Sequence, residues 1–259
     1  MEAETWKKVC EICDRLSTVT YENLTKIIRL EQTGSSSSAQ KLDDSFQNDL
    51  DSWMGGGTCF SMTWYLYQTF LDMGLKPRLV MGHKRKERNI HCALILDDSS
   101  SSIERVEYLF DPGYLIFEPL RIPNAPVLGM PPTSAFFPLV PNSVRLDRID
   151  TETLSLWTGG AGAPMKLRFE YPIRGVSVEE FKQHWNESFY REMMTYPVLN
   201  RLDREAGIQY YYQKGNLVTR TGNGSKMERI EPADRVKTLS SVFRISEELV
   251  HRALNILEK

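Results

Sequence analysis

Cysteine and histidine are scarce in this 259-residue chain, with four of each. So few thiols exclude a disulfide framework and leave Cys10, Cys13, Cys59 and Cys92 to be read one by one. Net charge is nearly absent: 32 Lys and Arg stand against 34 Asp and Glu, a formal charge of -2. That balance argues against a general nucleic-acid or anionic-membrane surface. Hydrophobic runs that suit a bilayer are missing too. Residues 52–71 and 122–144 are uncharged and long enough to span. However, Gly55, Gly56 and Gly57 interrupt the first, and Pro123, Pro126, Pro131, Pro132, Pro138 and Pro141 interrupt the second. Residues 1–8 lack an apolar core followed by small residues, so no secretory signal is expected, and the protein is expected in the cytoplasm. No cluster with metal-ligand spacing is present.

What is there is a globular composition, 41% hydrophobic, 10% aromatic and 25% charged. The length suits one large domain or about two. Apolar residues at helical spacing predict helices over residues 4–17 (Trp6, Val9, Cys13, Leu16) and 41–53 (Leu42, Phe46, Leu50, Trp53). Between them lies a short apolar segment, residues 21–30, and a small-residue linker, 35–38. A third helix is expected from Thr58 or Cys59 to Met73, capped by Thr58 and ended by Gly74. It is apolar nearly all round and therefore expected at the centre of a helical bundle. After Pro77 short strands are expected at 78–82, 91–96, 106–111, 115–117, 154–157 and 165–173, the last alternating Met165, Leu167, Phe169 and Tyr171 on one face. They suggest an antiparallel barrel or curled sheet. Ser177 and Glu180 form a capping box before Phe181, Trp185 and Phe189; a hairpin, 208–213 and 217–220, and a last helix on Val250, Ala253, Leu254 and Leu257 follow. The expected division is 1–76, 77–175 and 176–259.

Cys59 is the most informative residue. It follows three glycines and opens a buried helix, where the positive end of the helix dipole favours the nucleophilic thiolate. The glycines let backbone approach an incoming carbonyl and offer amides to an oxyanion. A cysteine in such surroundings is otherwise a small buried apolar residue. As a nucleophile it needs a base. His184 and His251 fall on predicted helices and His83 adjoins the basic run Lys84, Arg85, Lys86 and Arg88, which reads as an exposed loop. His91 instead begins a strand whose neighbour ends at Asp111. If the connecting loop centres on Ser101, residues pair when their numbers sum to about 202, placing His91 opposite Asp111, with both side chains on one face. A one-residue slip would separate them.

These residues resemble the arylamine N-acetyltransferases, through Thr20-Tyr-Glu-Asn-Leu24, Gly56-Gly-Thr-Cys59-Phe60, Ile90-His91, Phe110-Asp111-Pro-Gly113-Tyr114 and Arg168-Phe-Glu-Tyr171. The resemblance covers nearly the whole chain. It implies an α+β protein with an N-terminal helical bundle carrying the nucleophile, a central antiparallel β-barrel carrying the His and Asp, and a C-terminal α/β lid, of the cysteine-protease and transglutaminase-like kind. It also implies a triad of Cys59, His91 and Asp111, with Tyr114, Gly57 and Thr58 at the substrate. The partners implied are acetyl-CoA, a coenzyme A thioester, as acyl donor, and a small-molecule amine as acceptor, an arylamine, hydrazine or relative, in a ping-pong reaction without a metal, nucleic acid or membrane.

The chain departs from the family in having Gly55 where an arginine is usual and Ser61 and Thr63 where other polar residues are expected. The arginine and its partner are expected to be lost together. Three rival readings remain: an amide synthase fed by a carrier protein, a transglutaminase-like thiol hydrolase using the same triad, and a noncatalytic module on the same scaffold. Cys10 and Cys13 read as core packing, Cys92 as pointing away from the site, and the tyrosines at 210–212 as packing of the last domain or as its lining over the cleft.

Overall fold

The computed structural model describes all residues except 43, 54, 99–105 and 161–162, and all side chains of the remainder except 45, 50, 52 and 53. The first helix, α1 (Ala3–Ser17), follows its apolar spacing and buries Val9, Cys13 and Leu16. The segment after it splits into a short strand, β1 (Tyr21–Glu22), and a helix, α2 (Leu24–Thr33). The next helix, α3 (Ser45–Trp53), starts later than its spacing predicts, because Lys41 and Leu42 precede it as irregular backbone. Of its expected face, Phe46 is buried, and the Leu50 and Trp53 side chains lie outside those described. The fourth helix, α4 (Cys59–Asp72), begins at the nucleophile candidate. Thr58 occupies its N-cap position, but the Thr58 hydroxyl makes no capping bond, contrary to expectation.

Strands β2 (Pro77–Lys84), β3 (Glu87–Asp98), β4 (Val106–Asp111), β5 (Ile116–Arg121), β6 (Thr133–Phe137), β7 (Ser143–Arg148), β8 (Thr153–Gly159) and β9 (Lys166–Pro172) form an antiparallel sheet in the order β5-β4-β3-β2-β9-β8-β7-β6. It curls into a nearly closed barrel whose edges, β5 and β6, are consecutive in the chain. Val80, Ala93, Ile95, Leu109, Leu146, Leu154 and Leu156 fill its interior. The alternate residues of β3, Cys92, Leu94 and Leu96, join the core beneath the helices. Burial on both faces explains why β3 is an unbroken apolar run. β6 and β7 flank the proline-rich stretch and escape sequence prediction; Pro132 and Pro138 stand just outside β6.

α4 therefore does not sit at the centre of a helical bundle. One flank packs on β2, β3 and β4, with Phe70 edge-on to Phe110 at 5.2 Å. The other packs on α5 (Val178–Glu187), where Phe60 and Trp64 meet Phe181 at 5.3 and 6.0 Å. Two apolar flanks need two partners, and the barrel supplies the second. α5 is capped as predicted by Ser177, whose hydroxyl accepts the Glu180 amide at 3.1 Å.

A second antiparallel sheet has the order β1, β10 (Val198–Asp203), β11 (Ile208–Gln213), β12 (Asn216–Thr221), β13 (Gly224–Arg229), followed by α6 (Arg235–Phe243) and α7 (Glu247–Leu257). Its core joins Leu24 and Ile28 of α2 to Leu199, Tyr212, Phe243 and Val250. Among the described residues no helix is long and apolar enough to cross a membrane.

Candidate active site

Three elements converge on one point. α4 supplies Cys59 as its first residue, β3 supplies His91, and the last residue of β4 is Asp111. His91 Nε2 lies 2.7 Å from Asp111 Oδ1, with Asp111 wholly buried and His91 6% exposed. The strand register differs from the expected one. Residues of β3 and β4 pair when their numbers sum to 204, as in Leu94 with Phe110, two residues off the expected register. His91 is thus not opposite Asp111 but diagonal to it. A slip of two residues keeps both side chains on the same face, so the contact survives. The loop itself, 99–105, lies outside the described residues.

Gly113 lies where Cys59 and His91 come together. A β-carbon built on it would stand 2.3 Å from the Cys59 Cβ and 3.0 Å from His91 Cε1. His91 presents its Nε2 side to Asp111, so Nδ1 is the nitrogen left for the thiol. Asp111 also accepts the Tyr114 amide at 3.1 Å and the Tyr171 hydroxyl at 2.7 Å. Phe169 stacks on the His91 ring, 4.2 Å between centroids at 12°, and Tyr114 meets both rings edge-on. Tyr171 and Phe169 were not marked by sequence reading as site residues. Their signal was the alternation of β9, which aims both to one face.

Charge follows from these contacts. A hydrogen bond from the Cys92 thiol lowers the Cys59 pKa, burial raises it, and the bond to and charge on His91 lower it again, leaving it well below the ordinary thiol value. Burial disfavours charge on His91, but Asp111 and Cys59 outweigh it and raise its pKa to about 10. Both shifts favour a thiolate at Cys59 beside an imidazolium at His91. Cys92 does face the side opposite to His91, as alternation requires; that side is where α4 lies, so Cys92 belongs to the surroundings of Cys59. Burial and the neighbouring Cys59 push its own pKa well up, leaving it a thiol.

The nucleophile loop departs from expectation at two points. The Gly57 amide, expected at an oxyanion, instead donates to Glu22 Oε1 at 2.7 Å, and the Gly56 amide to the Thr20 carbonyl at 2.9 Å. Thr58 is buried, and its carbonyl accepts from the Ser61 hydroxyl at 2.9 Å. Nor has the loop lost its buried charges with Gly55: Glu22 and Lys41 are both buried beside it. Thr63 reaches back to the Cys92 carbonyl at 3.4 Å.

Tyr114 opens onto a cleft of about 590 Å³ between the barrel and the second sheet. Arg168, Arg204, Arg220, Asn142 and Tyr211 line it, whereas Tyr212 is packed in the core beneath. Among the described residues Arg168 and Arg220 make no ion pair; Arg168 donates to the Thr158 hydroxyl at 2.7 Å and Arg220 to Gln209 at 3.3 Å.

The remaining candidates lie elsewhere. His83 accepts the Asn89 amide, His184 bonds Asn89 and Glu187, and His251 is exposed on α7. Residues 84–88 are the exposed end of the β2–β3 hairpin, and Cys13 is buried, with desolvation first among the causes that raise its pKa to about 12. No three His, Cys, Asp or Glu side chains group as metal ligands among the described residues.

No protein-family model and no curated protein matches the chain. Solved structures do. The arylamine N-acetyltransferase from Mycobacterium abscessus superposes with a TM-score of 0.76 at 15% identity, over 98% of this chain and 88% of that one. The chain has the arylamine N-acetyltransferase fold. A Mycobacterium marinum arylamine N-acetyltransferase in complex with CoA matches over 94% of this chain and 91% of its own, with a TM-score of 0.70 and 16% identity. A Bacillus cereus enzyme of the same fold, with a Cys-His-Glu catalytic triad, matches at 0.67 and 18% identity over 93% and 91%. In this version of the arylamine N-acetyltransferase fold, the acid beside the histidine is Asp111.

Proposed function

We propose that this protein transfers an acetyl group from acetyl-CoA to a small amine, an arylamine, hydrazine or relative, through an acetyl-Cys59 intermediate. The observation that carries the reading is the junction of Cys59, at the start of α4, with a His91 held by Asp111 at 2.7 Å. The fold shared with a CoA complex supports coenzyme A as carrier. The cleft beside Tyr114, where among the described residues Arg168 and Arg220 make no ion pair, supplies cations for its phosphates.

In the first half-reaction the Cys59 thiolate attacks the thioester carbonyl. The oxyanion that forms meets the first amides of α4, which precede any intrahelical partner. The tetrahedral species collapses with departure of the coenzyme A sulfur, which takes the proton from His91. In the second, the amine attacks acetyl-Cys59 while neutral His91 accepts its proton; collapse releases the amide and restores the thiolate–imidazolium pair. Asp111 keeps the imidazole oriented and stabilises its charged form throughout. Donor product leaves before acceptor binds, so the kinetics are ping-pong.

The test is the intact mass of rapidly quenched protein after mixing with acetyl-CoA, with Cys59→Ala alongside, followed by addition of an arylamine. One acetyl increment that requires Cys59 and vanishes with amine is expected. Folded protein that gains none overturns the reading and favours a different acyl donor or hydrolysis, which ammonia release from glutamine peptides would reveal.

A further inference from the structure

The loop that presents Cys59 is held by a chain of buried polar groups that the proposed chemistry does not itself use. Gly57, two residues before Cys59, is in the left-handed region with φ +69°, and its peptide is gripped on both sides by Glu22. The Glu22 amide donates to the Gly57 carbonyl at 2.9 Å, and the Gly57 amide donates to Glu22 Oε1 at 2.7 Å. Glu22 is wholly buried, and its other donors both come from Thr25: the hydroxyl to Oε1 at 2.6 Å and the amide to Oε2 at 2.7 Å. Behind Thr25 stands Lys41, 3% exposed, whose Nζ donates to the Thr25 hydroxyl at 2.7 Å and pairs with Asp49 at 2.7 Å. The same ammonium lies 3.1 Å from where a Gly57 β-carbon would stand, so it also abuts the loop directly. Gly55 completes the fit, since a β-carbon there would fall 2.9 Å from Glu22 Oε1.

We propose that Lys41 is a positioning residue for the nucleophile, acting on Cys59 through Thr25, Glu22 and the Gly57 peptide. An ammonium group has donors and no acceptor, whereas a hydroxyl has a single proton. With Lys41 donating into its oxygen, Thr25 has to give that proton to Glu22. Lys41 thus fixes the direction of every bond in the chain, and the carboxylate so held has one orientation in which to receive the Gly57 amide. Without the ammonium the Thr25 hydroxyl is free to turn, the wholly buried Glu22 loses a donor, and the Gly57 peptide loses its fixed plane. Two residues farther on, a shift of this kind displaces the sulfur from His91.

This inference rests on Cys59 being the nucleophile, and its test does not need acetyl-CoA to be the donor. The pseudo-first-order rate of Cys59 alkylation by iodoacetamide, followed by peptide mass across pH, reports the thiolate directly. Lys41→Met is expected to lower the rate at neutral pH about 100-fold, the cost of a misplaced reacting group, and to move the acid limb of the profile upward. Lys41→Arg, which keeps a cation that only donates, is expected to restore most of it. Where acetyl transfer is measured, kcat falls and KM for the acyl donor holds. Thr25→Val keeps the side-chain shape, removes the hydroxyl, and carries the same expectation if Lys41→Met does not fold. A wild-type alkylation profile in folded Lys41→Met or Thr25→Val overturns the proposal. So does a loss in Lys41→Met that Lys41→Arg leaves unrepaired. Normal alkylation of the wild-type protein together with no acetylation would instead count against the acetyl-CoA reading alone.

Discussion

Gly113 passes so close to Cys59 that a β-carbon on it would stand 2.7 Å from the Cys59 Cα and 2.3 Å from its Cβ. The Gly113 backbone and the Cys59 side chain are in contact there, and neither has a flexible end to move. Gly113→Ala is therefore expected to push Cys59 and His91 apart and to lower acyl transfer by about 100-fold or more. The check is single-turnover acetylation together with near-ultraviolet circular dichroism. A folded variant with wild-type acylation would show that the sulfur and the imidazole work in a different arrangement.

Asp111 holds its orientation through three donors, and the Tyr171 hydroxyl is the one that serves Oδ2, at 2.7 Å. Tyr171→Phe leaves that oxygen buried without a partner, which costs about 1–3 kcal/mol. Urea unfolding is expected to show this loss, accompanied by a rate reduced about tenfold as the carboxylate gains freedom. Unchanged stability would mean that another donor takes over.

The pH profile of alkylation follows from the two shifted groups. Cys59 is held well below the ordinary thiol range and His91 is raised to about 10. The rate at Cys59 is expected to rise well below the ordinary thiol range, stay flat, and change again near pH 10 as His91 loses its proton. Cys92→Ala removes the donor that most lowers the Cys59 pKa, so its acid limb is expected to move up. Asp111→Asn removes the carboxylate that raises His91, so its basic limb is expected to move down, with acyl transfer lower by orders of magnitude. Limbs that stay in place in both variants would sink this account.

Local signals made the site legible from sequence. Glycines before a buried helix marked Cys59, and a strand entry and a strand end marked His91 and Asp111. The register was misjudged by two residues, a shift that period-two alternation forgives. What stayed hidden is nonlocal. Phe169 and Tyr171 reach His91 because β9 lies beside β2 across the barrel, with His83 opposite Glu170, far from His91 in sequence. The contact chain from Lys41 through Thr25 to Glu22 joins separate elements, and no local pattern announces it. β13, exposed along its whole length, has no alternation of burial for a pattern to reveal, and β6 and β7 were obscured by the prolines around them.

Lys26 gives the last prediction, through stability. Its ammonium is buried against Ser188, at 2.6 Å, and over the Phe189 ring at 4.3 Å, and burial lowers its pKa to about 7. Unfolded, it holds its proton to the ordinary lysine value. Between about pH 7 and 8.5, a window set by the reference values, the unfolded chain thus binds a proton at this position that the native chain has lost, and stability rises with pH. In the same window His91 binds one proton more in the native state and Cys59 fewer, and the raised thiols of Cys10, Cys13 and Cys92 keep protons that the unfolded chain begins to lose; these contributions are the same with and without Lys26. The difference in slope between the wild type and a chain without this ammonium therefore belongs to Lys26, about 1.4 kcal/mol per pH unit at most. Urea titrations at the two ends of this window are expected to show stability changing more positively with pH in the wild type than in Lys26→Met. A variant that keeps the wild-type slope would place the titrating group elsewhere.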